Sequence, residues 1–62
     1  MTPKEKATEL YVKYYNLIES PYEKHNRTKQ CALITCNEVL GYMGADRGYA
    51  FWTEVKQEIE KL

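Results

Sequence analysis

Trp52-Thr53-Glu54-Val55-Lys56-Gln57-Glu58-Ile59-Glu60-Lys61-Leu62 decides the fold. Its apolar residues Trp52, Val55, Ile59 and Leu62 recur at steps of three, four and three, and charged or amide side chains fill most of the gaps. That spacing predicts an amphipathic helix with a narrow, coiled-coil-like seam. Such a helix cannot bury its seam alone, so the rest of the chain has to supply partners.

Two more stretches do so. Thr2-Pro3-Lys4-Glu5 reads as a capping box with proline in the first helical turn. Behind it Ala7, Leu10, Tyr11, Tyr14, Leu17 and Ile18 fall on one helical face. Val12 and Tyr15 lie outside that stripe, which marks them as partner surface. Ser20-Pro21 ends this helix, because proline removes a donor and restricts the residue before it. Two starts compete for the second helix. Ser20-Pro21-Tyr22-Glu23 repeats the capping-box pattern, which allows a start at 21, while Asn26 is a good N-cap for a start at 27. Lys24-His25-Asn26 carries no apolar stripe, and this favours 27. From there Ala32, Leu33, Cys36, Val39, Leu40 and Met43 define a buried face, and Gly41 suggests a place for close packing. Gly44 suits a left-handed C-terminal cap, and Asp46 suits the N-cap of the last helix. The expectation is a single all-α domain over 1–62, a small three-helix bundle with helices at about 3–19, 27–43 and 47–62.

Size and charge narrow the function. A chain of 62 residues buries only about 60% of the surface it exposes when unfolded, and its core is worth roughly 3–5 kcal/mol net. Small domains make up the shortfall with disulfides, a metal or a second subunit. Cys31 and Cys36 point about 140° apart on a helix, so they do not bridge. With one histidine, a zinc site would need two subunits. Self-association into a homo-oligomer is the remaining expectation. Nine basic residues balance nine acidic ones, which argues against long nucleic acid and against an anionic membrane. No apolar run approaches the roughly 20 residues that span a bilayer, and the opening MTPKEK reads as a helix start rather than an export segment. A DNA-binding helix-turn-helix would use the last helix for recognition, yet from Trp52 onward Glu54, Glu58 and Glu60 outnumber Lys56 and Lys61. No catalytic motif, metal ligand set or cofactor loop is present in the sequence, so a non-enzymatic role without a cofactor is expected.

Two clusters remain. Lys24, Arg27, Thr28 and Lys29 gather hydroxyl and basic groups near a helix N-terminus, where free N–H groups and the helix dipole attract phosphate. Tyr22 is close enough in sequence to stack on a base. Here the ordinary alternative is a solvated polar loop. Six tyrosines, one tryptophan and one phenylalanine exceed what so small an interior holds, and Tyr and Trp favour interfaces. Tyr11, Val12, Tyr15, Ile34 and Tyr49 are the candidate interface residues.

Lys29-Gln30-Cys31-Ala32-Leu33-Ile34, then Glu38-Val39-Leu40, then the string from Trp52 to Leu62, together with the opening Thr2-Pro3-Lys4-Glu5-Lys6-Ala7 and Lys13-Tyr14-Tyr15-Asn16, resemble a group of very short proteins of phages and mobile elements of Bacteroidota-type bacteria. The resemblance spans most of the chain outside residues 20–28. It implies a phage-type accessory protein in the host cytoplasm and transfers no functional residue. Two functions follow as expectations. One is an anti-defence sponge or inhibitor that sequesters a host protein or a small nucleotide signal, with Arg27, Thr28 and Lys29 on phosphates and Tyr11, Tyr15 or Tyr22 on a base. The other is a protein-binding adaptor or assembly subunit that uses exposed aromatic helix faces.

Overall fold

The computed structural model describes residues 1–43 and 47–62. It contains three helices, α1 (Pro3–Leu17), α2 (Lys24–Met43) and α3 (Arg47–Lys61). Each helix packs on both others, which gives the small all-α three-helix bundle that the spacing predicts. The connector expectations for Gly44 and Asp46 lie outside the described residues, as does the burial of Met43.

α1 starts as its sequence dictates. The Glu5 N–H donates to Thr2 Oγ1 at 3.1 Å and the Thr2 N–H donates to Glu5 Oε1 at 2.9 Å. These bonds satisfy two donors that a helix start otherwise leaves open. The helix stops at Leu17, two residues before the expected end. Ile18 turns extended (φ −85°, ψ 112°) while its N–H still reaches the Tyr14 carbonyl. Leu17, expected on the core stripe, is therefore 74% exposed on the last turn.

α2 begins at Lys24, three residues before the favoured start and three after the alternative. Ser20 does not cap a helix at 21; its Oγ instead accepts from the Tyr22 N–H at 3.3 Å. The first helical acceptor is the Glu23 carbonyl, bonded by the Arg27 N–H at 2.9 Å. Glu23 itself sits in the left-handed region at φ 46°. A residue with a Cβ is strained there by roughly 1–2 kcal/mol. Helix over Lys24-His25-Asn26 is stabilised by contacts with α1 described below, not by an apolar stripe.

The core is small-residue packing. Ala7, Leu10, Ala32, Cys36, Val55 and Ile59 are buried, with Tyr14, Leu33, Phe51 and Trp52 packed around them. From the α3 seam, Val55 and Ile59 are fully buried, whereas Leu62 lies past the helix end and is half exposed. Gly41 does not mediate packing within the chain, since a Cβ there would meet nothing within 4 Å. Lys29 Nζ donates to the Glu60 carbonyl at 3.0 Å, so the start of α2 lies beside the end of α3. Lys4, Ala7 and Thr8 border a cleft with Glu58, Lys61 and Leu62, which puts the start of α1 at the same end of α3.

Two predictions test these local features. Replacing Glu23 by glycine removes the left-handed strain and raises stability by about 0.5–1 kcal/mol in urea denaturation. The second concerns acid. Glu5 is held below the usual carboxylate value of 4.5 by the Thr2 N–H and hydroxyl, and Glu9 by Lys13 and then Lys6. A depressed carboxylate stabilises the fold fully above its unfolded value and loses that effect as pH falls through its folded value. The melting temperature should therefore decline below pH 4.5. The Glu5→Gln, Glu9→Gln double variant should melt lower at neutral pH and decline less with acid.

Candidate functional site

α1 carries Tyr11 and Tyr15 one turn apart, so their rings share a face. The rings stack at 5.7 Å between centroids with 24° between planes. The first two residues of α2 pack against them. Lys24 Nζ stands 4.1 Å from the Tyr15 ring centroid. The His25 ring lies 5.6 Å from that of Tyr11, and the Tyr11 hydroxyl is 2.7 Å from His25 Nδ1. The contacts run from Lys24 to Tyr15, from Tyr15 to Tyr11 and from Tyr11 to His25. Because Lys24 and His25 are adjacent in the chain, these contacts form a clamp that fastens the first turn of α2 to α1. Cation–π attraction, ring stacking and a hydrogen bond all contribute.

This clamp changes the reading of the phosphate cluster. Lys24 is engaged with Tyr15. Thr28, expected as a phosphate ligand, is fully buried, and its hydroxyl donates to the Lys24 carbonyl at 2.6 Å. It belongs to the core. Its step of four to Ala32 and again to Cys36 is the sequence signal that marked it so. Lys29 donates to the Glu60 carbonyl at the end of α3, where backbone acceptors and the negative end of the dipole favour a cation. Arg27 and Tyr22 remain exposed, Tyr22 at 71%. The five expected ligand residues thus do not converge. Tyr11 and Tyr15, given a stacking role, are engaged with each other, with His25 and with Lys24.

The candidate interface residues fare differently. Val12, Tyr15, Ile34 and Tyr49 are each between 41% and 60% exposed, and Tyr11 is half-buried in the clamp. Spacing did not single out Tyr42, which is 90% exposed. Nor did it anticipate the hydrogen bond between the Tyr14 and Thr35 hydroxyls that ties α1 to the middle of α2. Thr35 also donates to the Cys31 carbonyl.

Other places offer little chemistry. The cleft at the start of α1 has a volume of about 250 Å³, below the roughly 300–1,000 Å³ of small-molecule sites. On its wall Glu58 and Lys61 pair at 3.3 Å. Among the described residues no three His, Cys, Asp or Glu side chains form a metal-binding group. Cys36 is fully buried in the core, and burial pushes its thiol up from the usual 9.0 against a weaker pull from Lys56.

The clamp is testable through Tyr11→Phe, which removes only the hydroxyl. It should cost about 0.5–1 kcal/mol in urea denaturation. Combined with His25→Ala, the loss should fall short of the sum of the two single losses, as expected for groups that act on each other.

No protein-family model matches the chain, and no curated protein and no solved structure matches it.

Proposed function

We propose that this chain acts by docking to another protein, as an adaptor or assembly subunit without a small-molecule ligand. The observation that carries this reading is the internal engagement of the polar cluster. Lys24, Thr28 and Lys29 each bond or pack within the fold, Lys24 against Tyr15, while Val12, Ile34 and Tyr49 remain on the surface. Exposed apolar and aromatic side chains on rigid helices suit a partner's amphipathic helix. No helix among the described residues is long and apolar enough to cross a membrane. The resemblance to short phage-type proteins fits an accessory role in the host cytoplasm.

The nucleotide sponge is the second reading, and Arg27 and Tyr22 are its remaining supports. Both side chains are exposed beside the start of α2.

Thermal-shift measurements with mono-, di- and cyclic nucleotides separate the two, because a ligand that binds the folded state raises its melting temperature. Docking to a protein predicts no shift with any of them. A rise that disappears in the Arg27→Ala, Lys29→Ala double variant overturns the adaptor reading in favour of the sponge. Native mass spectrometry of the chain purified from infected host cells should then show a retained protein, lost on Val12→Asp.

A further inference from the structure

Arg27, Cys31, Ile34, Glu38 and Gly41 follow one another along α2 at steps of four, three, four and three. These are heptad positions, and they form a second seam. The buried residues Thr28, Ala32 and Cys36 lie about 140° away around the helix at 100° per residue. α1 touches the edge of α2 marked by Lys24 and Thr35, and α3 touches the edge marked by Lys29. The second seam therefore lies outside the buried face, opposite the edge that α3 touches, with its Cys31 margin beside the edge that α1 touches. Arg27, Glu38 and Gly41 are exposed, Ile34 is 60% exposed and Cys31 is half-buried at the margin.

The pattern of this seam is self-complementary. Arg27 stands as far before the midpoint between Ala32 and Leu33 as Glu38 stands after it. Cys31 and Ile34 flank the same midpoint symmetrically. A two-fold axis through that midpoint places Arg27 of one copy level with Glu38 of the other, twice. It also places Ile34 level with Cys31, twice. Gly41 leaves room at the ends, since nothing lies within 4 Å of a Cβ built there. Tyr42, 90% exposed, arrives level with the turn of the second copy that holds Tyr22, itself 71% exposed. A parallel pairing would instead set Arg27 against Arg27 and Glu38 against Glu38, which repel.

The geometry points to a second copy of this chain as the occupant of the outer α2 face, docked antiparallel about a two-fold axis through the Ala32–Leu33 step. Isologous contact of this kind is the commonest arrangement of small homo-oligomers. Charge register selects the antiparallel orientation, as polar residues at heptad seams do. This assignment shares Ile34 with the adaptor reading but does not rest on it: a chain can pair with itself and bind nothing else, or pair through α2 and dock a partner through Val12 and Tyr49.

Sedimentation equilibrium over a range of protein concentrations tests the pairing, with circular dichroism to check that each variant remains helical. The wild-type mass should rise from the 7.3 kDa of one chain to twice that value. Arg27→Glu alone and Glu38→Arg alone each set like charges opposite one another at two symmetric places, and each should weaken pairing at least about tenfold. The Arg27→Glu, Glu38→Arg double variant restores opposite charges and should pair as the wild type does. Ile34→Asp should remain a monomer. A wild type that stays monomeric up to about 1 mM overturns the proposal. So does a dimer unaffected by Ile34→Asp, which would use another face. A double charge swap that fails to regain pairing overturns the register.

Discussion

Burial of small side chains where the three helices meet is the constraint on which the rest of the molecule depends. Ala7, Ala32, Cys36 and Thr28 are all essentially buried, and none projects far from its helix axis. Small residues at the contact favour the short end of the usual 8–10 Å between helix axes. Only Leu10, Val55 and Ile59 add bulk at the centre. An interior of this kind has no room for aromatic rings, so Tyr14, Phe51 and Trp52 pack around the core rather than within it.

Rings left at the rim need partners for their polar tips and faces, and the chain supplies them from two lysines, a histidine and a threonine. Lys6 lies over Trp52 at 5.8 Å, Lys24 over Tyr15, His25 against Tyr11 and Thr35 against Tyr14. Single contacts of this type contribute on the order of 1 kcal/mol. In a domain with so little core, four of them are a sizeable share of net stability. The same arrangement draws basic groups out of circulation. A sequence stretch that looks like a phosphate cradle is, in three dimensions, mostly the fastening between α1, α2 and the end of α3.

Those two facts explain what could be read from the sequence. The seam Trp52–Val55–Ile59 and the stripe Ala32–Cys36 were legible because helical periodicity reports burial directly. The Thr2–Glu5 cap was legible because it is local. The start of α2 was not, because it depends on Tyr11 and Tyr15, which lie a whole helix away and hold Lys24 and His25 in place. Thr28 was misread for a related reason. A hydroxyl beside two cations resembles a ligand until the i−4 carbonyl is seen to take its proton. Leu17 and Leu62 fit their stripes by spacing but fall at helix ends, where periodicity no longer implies a neighbour. Tyr42 carried only the general signal that Tyr15, Tyr22, Tyr42 and Tyr49 do not all fit so small an interior, because exposure of an aromatic ring leaves no periodic mark.

A chain with zero net charge cannot draw a partner from a distance by its overall field. Recognition therefore has to be short-ranged and decided by register. In the proposed pairing a single arginine and a single glutamate of α2, eleven residues apart, would set that register. Their spacing matters more than their strength, because exposed ion pairs contribute little each. Mass action then links this surface to the weak interior. Any complex that forms only from folded chains stabilises the fold in proportion to the logarithm of partner concentration. A domain whose own packing ends at small side chains gains most from such a contact. Its outer helix face can remain polar enough to stay dissolved as a monomer and still be specific once a matching surface is near.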